Sequence, residues 1–135
     1  MIGILRTLKE NDINSTNLGK LRRYSLARGE RTLSFRGRLL GFYHAEGDAL
    51  EVSAQDKTLL ETIAIFRTRT RYLIYYLIHH HNNEHLSGRQ VHIHVTGDLD
   101  GAASFIDAMV YPNKRSFADG VVEDARATDE RVKER

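Results

Sequence analysis

Three histidines, His79 to His81, close the apolar run "YLIYYLIHHH", His85 follows in "NNEH", and His92 and His94 stand in "VHIHV". His79 and His81 are spaced i, i+2, as are His92 and His94, so on strands each pair projects to one face. If "NNEHLSG" joins the two strands as a hairpin, two registers bring the pairs together. One sets His79 opposite His92; the other sets His81 opposite His92 and His79 opposite His94. Neutral imidazoles converging in this way suit Zn²⁺ or another borderline metal, with Glu84, His85 or Asp98 as further ligands. The plainer reading, and the preferred one, is of polar residues at a strand end and on a solvent face.

The second grouping is cationic. Between Lys20 and Arg38 seven Lys/Arg face one acid, Glu30. The segment "ILRTLKENDINSTNLGKLRRYSLARG" has the outline of a helix-turn-helix. Asn17, Lys20, Arg22, Arg23 and Arg28 would lie on its second helix to meet phosphates and base edges, with Arg36 and Arg38 on the next strand reaching the backbone as a wing does. Arg67, Arg69 and Arg71 could extend the same patch. The competing reading is a solvated face, or one paired with the acidic C-terminal region. Charge is distributed accordingly: Met1 to Tyr43 carries nine basic and three acidic residues, while Asp98 to Arg135 carries six basic and nine acidic.

Catalytic chemistry is harder to place. There is no Cys, so no thiolate nucleophile or disulfide is available. No Gly-x-Ser-x-Gly elbow and no Gly-rich phosphate loop is present, and Asp98 and Asp100 have simpler work as helix caps. No catalytic residue is named, and a binding protein is favoured over an enzyme. With 41% hydrophobic and 28% charged residues, the 135-residue chain belongs with folded globular proteins rather than disordered ones. The longest apolar run, Tyr72 to Ile78, is too short to span a bilayer, and the N-terminus has no secretory pattern. A cytoplasmic chain with no membrane partner is expected.

The elements that must position these residues follow from periodicity. Ile2, Leu5 and Leu8 predict a first short helix, and Leu18, Leu21 and Tyr24 a second, capped at Ser15 or Thr16 and stopped by Gly29. From Arg31 the period changes to two. "TLSFRGRLLGFY", "ALEVS", "LLETIAIFR", "RYLIYYLIH" and "RQVHIHVTG" predict an antiparallel sheet of about five strands, with "TRT" as a hairpin connection. "DLDGAASFIDAMVY" predicts an amphipathic helix capped by Asp98 or Asp100 and ended by Pro112. The expectation is α+β: one domain over residues 1–112, comprising a basic helical segment 1–29, a sheet 31–97 and a helix 98–111 packed on one face. A charged tail, 113–135, compatible with an exposed helix, follows. The third and fourth long strands are apolar on both faces, so one helix cannot cover them. The N-terminal helices or a second subunit must supply the missing cover, and a homodimer is expected.

"LSFRGRLLGFY" followed by "IAIFRTRTRYLIYYL" resembles the core of the EXLDI proteins of actinobacteria, with Phe35, Gly37 to Leu40 and Phe66 to Thr68 matching their Phe-x-Gly-Arg-Leu-Leu and Arg-Thr hairpin segments. The tail "VVEDARA" lacks that family's Leu-Asp-Ile ending. The resemblance covers about a third of the chain and implies the sheet, a DNA-binding-like N-terminal segment and a regulatory role. Together the readings expect a small regulatory protein contacting DNA or RNA. The alternatives are a His-rich metal-binding protein or metal-dependent enzyme, and a protein-interaction adaptor.

Overall fold

The computed structural model describes residues 7–46, 57–81, 88–109 and 115–133. The fold is α+β. Six strands form one mixed sheet in sequential order: β1 (Thr7–Leu8), β2 (Leu21–Arg28), β3 (Arg31–Glu46), β4 (Lys57–Arg67), β5 (Tyr72–His81) and β6 (Gly88–Thr96). β1 pairs with β2 in parallel and every other neighbour is antiparallel. Among the described residues two α-helices follow, α1 (Leu99–Met109) and α2 (Arg115–Lys133). No helix among the described residues is long and apolar enough to cross a membrane.

This corrects the expected architecture. The N-terminal segment holds no α-helix among its described residues, only one-turn 3₁₀ segments at Glu10–Asp12 and Ser15–Asn17. Leu21 and Tyr24 do lie at helical spacing, but Tyr24 and Leu26 are the fully buried pair, and their i, i+2 spacing belongs to a strand. Gly29, read as a helix stop, is the first residue of the Gly29–Glu30 turn between β2 and β3. Its φ of 61° supplies the positive angle that a type II′ hairpin turn requires at that position. The sheet is mixed with six strands rather than purely antiparallel with five. Residues 49–53, expected as a strand, lie outside the described residues.

The C-terminal end differs as well. The charged tail, compatible with an exposed helix, does form a helix, α2, but one that buries Val121, Val122, Ala125, Thr128 and Asp129. Four of these five fall on one stripe at i, i+4 and i+3 spacing (Val121, Ala125, Thr128, Asp129), but Thr and Asp hide the stripe from a hydrophobicity reading. α1 begins as expected: the Gly101 amide donates to Asp98 Oδ1 at 2.7 Å, so Asp98 is the cap.

The two-faced strands find both coverings within the chain. On the outer face Leu40, Ile63, Ile65, Ile74, Tyr76 and Ile78 pack against Leu99, Ala102 and Ile106 of α1 and Val121, Val122 and Ala125 of α2. Among the described residues no α-helix covers the inner face. There the sheet rolls until Cα atoms of β2 come within 8 Å of β6, and it closes over Tyr24, Leu26, Phe66, Leu73, Tyr75 and Leu77. Tyr24, Phe35 and Phe66 form an aromatic cluster inside, with ring centroids 4.7 to 5.6 Å apart. Register shifts at Leu39/Gly41 in β3 and Thr58/Leu60 in β4 bend the long strands as bulges do, which permits the roll. The homodimer was inferred from a missing cover that the rolled sheet supplies.

Candidate functional site

The register decides which cations meet. In β2 and β3, Arg23 stands opposite Arg36 and Leu21 opposite Arg38; Arg38 in turn stands opposite Arg67 of β4. Residues directly opposite in an antiparallel pair share a face. Arg23, Arg36, Arg38 and Arg67 therefore share the outer face across three strands. The β4–β5 turn closes one end of this row. Its Thr68 amide donates to the Arg71 carbonyl at 2.8 Å, and Arg69 projects from the turn. The last turn of α2 adds Val132 and Lys133. Together Leu21, Arg36, Arg38, Arg67, Thr68, Arg69, Val132 and Lys133 line a groove of about 540 Å³.

Five of those eight side chains are cationic and none is acidic. Nearby, Asp129 is 3% exposed at its side chain and both its oxygens are occupied. Arg67 Nη1 donates to Oδ1 at 2.7 Å, and Tyr72 Oη donates to Oδ2 at 2.7 Å. Lys133 Nζ lies 3.3 Å from Oδ2. Burial alone would raise the Asp129 pKa, but the hydrogen bonds from Tyr72, Arg67 and Lys133 outweigh it and hold the carboxyl below the usual carboxylate range. The hydrogen bond to Asp129 raises the pKa of Arg67, and burial followed by the same carboxylate raises that of Tyr72. The Arg67 guanidinium also sits 5.7 Å from the centre of the Tyr72 ring.

The groove cations thus differ in how they are held. Arg67 is fixed by Asp129, and Arg38 Nη1 donates to the Gly19 carbonyl at 2.9 Å. Arg36 and Arg69 make no hydrogen bond or ion pair among the described residues. A smaller recess of about 140 Å³ adjoins through Val132 and carries Lys20 and Arg131.

Of the residues singled out from the sequence, Arg36 and Arg38 line the groove, and Arg23 is their neighbour on the same face. Lys20 is in the adjoining recess. Arg22, opposite Gly37, has the parity of Tyr24 and belongs to the other face. Arg28 pairs with Arg31 at the far hairpin, about 23 Å along the strand from Leu21. Asn17 is buried and structural: its Nδ2 donates to the Asp12 carbonyl at 2.8 Å and to Asn14 Oδ1 at 3.3 Å. Arg67 and Arg69, read as an extension of the patch, are part of the groove. Lys133 was missed, and no local signal marks it; it arrives only because α2 docks across β3 and β4.

The histidine pairs do not meet. His79 stands opposite Arg89, His92 opposite Tyr76 and His94 opposite Ile74, which is neither of the registers weighed above. His92 is therefore about 10 Å along the sheet from the level of His79. The side chains of His79 and His81 lie outside the described residues. Those of His92 and His94 face the helix side, where His94 stacks on Phe105 with centroids 4.7 Å apart and planes 2° from parallel. Among the described residues no group of three or more His, Asp or Glu is placed to hold a metal.

No family model, curated protein or solved structure matches the chain, so the resemblance to EXLDI proteins rests on the quoted segments alone.

Proposed function

We propose that this is a small binding protein that holds nucleic acid by its phosphate backbone, with the basic groove as the contact surface. The observation that carries the reading is the convergence of Arg36, Arg38, Arg67, Arg69 and Lys133, from three separate parts of the chain, on one groove with no acid in its lining among the described residues. Like charges brought together repel, and among the described residues only Arg67 and Lys133 of this groove have a counter-charge, through Asp129. An arrangement of that kind is stabilised by an anion, and a string of phosphates supplies several at once. Arg guanidinium groups suit phosphate oxygens because their fork of N–H donors matches two acceptors. The contacts are to backbone, so the reading entails affinity without strong sequence preference.

Salt-dependent binding tests it. The affinity of the wild type for a labelled oligonucleotide should fall linearly with salt on a log–log plot, by about 0.7 to 0.9 per phosphate contact. Arg36→Ala with Arg69→Ala should flatten that slope by roughly two contacts without unfolding the chain, since neither side chain is hydrogen-bonded among the described residues. Arg28→Ala, at the far hairpin, should leave the slope unchanged. A wild type that binds no nucleic acid even at low salt would overturn the proposal.

A further inference from the structure

We infer that the groove selects single-stranded over double-stranded nucleic acid; this rests on the phosphate-binding reading above and specifies its ligand. Size is the first ground. About 540 Å³ falls within the range of roughly 300 to 1,000 Å³ typical of sites that enclose small molecules, a nucleotide among them. The groove is open rather than enclosed, and a duplex, whose phosphates run on stiff ridges flanking grooves about 12 and 6 Å wide, presents to it only one ridge. A single strand is free to turn its backbone inward and bring phosphate to Arg38 and Arg67, the two cations that Gly19 and Asp129 already hold in place.

The second ground is the apolar part of the lining. Leu21 is 39% exposed, one of two large hydrophobic side chains that are exposed among the described residues, and it lies in the groove with Val132. An exposed leucine among arginines has no use for a phosphate. It does suit the face of a base or sugar, which a duplex hides in its stack and a single strand presents. Arg36 and Arg69, untethered among the described residues, carry planar groups able to stack on the same base faces.

Fluorescence anisotropy with a labelled single strand of about 12 nucleotides, and with the blunt duplex of the same sequence, tests the inference at one salt concentration. The single strand should bind roughly tenfold tighter or better. Leu21→Ser should weaken single-strand binding several-fold while leaving the salt slope unchanged, because it removes apolar contact and no charge. Arg69→Ala, in an exposed turn, should lower both affinity and slope. A thermal melt of each variant confirms that it is folded. Duplex binding as tight as the single strand, or an unchanged affinity in Leu21→Ser, would overturn single-strand selection and leave phosphate binding standing. Absence of binding to either oligonucleotide would overturn the phosphate-binding reading itself.

Discussion

Tyr72 Oη donates to Asp129 Oδ2 at 2.7 Å, joining the start of β5 to the last turns of α2 across 57 residues of sequence. Arg67, from the strand before, takes the other carboxylate oxygen. One buried carboxylate thus ties α2 to the β4–β5 hairpin and, in doing so, sets one wall of the groove against its floor.

That tie should be measurable. Tyr72→Phe removes one hydrogen bond to a charged acceptor and should cost about 1.5 to 3 kcal/mol in urea unfolding. Asp129→Ala removes the hydrogen-bond acceptor of both Tyr72 and Arg67, leaving Arg67 part-exposed, and should cost about 2 to 3 kcal/mol. The Arg126–Asp100 pair at 2.6 Å between the two helices is well exposed, and Asp100→Ala should cost under about 1 kcal/mol. If Tyr72→Phe were as mild as Asp100→Ala, α2 would be held by its apolar stripe alone.

The same carboxylate makes stability depend on pH with a definite sign. The pKa of Asp129 is lower in the folded chain than in the unfolded one, so its contribution is complete above about pH 4 and is lost as pH falls through the folded value. Urea midpoints at neutral and acidic pH should therefore differ less in Asp129→Asn than in wild type. An equal acid loss in the two proteins would assign the acid sensitivity to other groups.

At the alkaline end the buried Tyr24 acts in the opposite sense. Burial pushes its phenol up to about 12. Its contribution is present below the unfolded value of about 10 and is lost as pH rises towards the folded one. Tyr24→Phe should remove part of the alkaline loss of stability, followed by circular dichroism across that window.

Two glycines should respond to alanine with opposite signs. A Cβ on Gly41 would lie 2.7 Å from the Val121 carbonyl oxygen and 3.1 Å from the Ala125 amide nitrogen, so α2 would have to lift from β3. Gly41→Ala should cost about 1 to 3 kcal/mol. Gly120, within α2, has nothing within 4 Å of the added carbon, and Gly120→Ala should stabilise by roughly 0.5 to 1 kcal/mol through helix propensity. Thermal melts of both variants decide it, and a mild Gly41→Ala would mean that α2 sits further from the sheet.

His94 offers a test of the metal reading against packing. Its ring lies flat on Phe105, so His94→Ala should cost about 0.5 to 1.5 kcal/mol with or without Zn²⁺. Zn²⁺ should not move the melting midpoint of the wild type. A midpoint that rises with zinc and ceases to rise in His94→Ala would instead mark a metal ligand, because an ion bound only to the folded state stabilises it.

Much of the sheet was legible from the residues themselves. The alternation of Leu33, Phe35 and Leu39, the two-faced apolar strands around the Thr68 to Arg71 turn, and the Asp98 cap of α1 are all patterns carried by residues close together in the sequence. The concentration of positive charge before Tyr43 was equally plain. Two segments misled for a physical reason. In "LRRYSLARG" Leu21 and Tyr24 fit a helical period while Tyr24 and Leu26 fit a strand period, and only the pairing of Tyr24 with Phe35 and Leu26 with Leu33 chooses the strand. In α2 the buried stripe contains Thr128 and Asp129, whose burial is tolerable only because Arg67, Tyr72 and Lys133 meet the carboxylate there.

The groove belongs to a different level. Composition determined that this chain would carry clustered arginines, but their partners in space depend on registers with no local signature. Arg36 meets Arg23, and Arg38 meets Arg67, because the apolar residues between them must reach one face or the other of a rolled sheet. The same constraint separates His92 and His94 from His79, since one residue of slip in β6 would turn every inward side chain outward. Residue types set the available chemistry, and burial of the two apolar faces decided which of those residues would stand together.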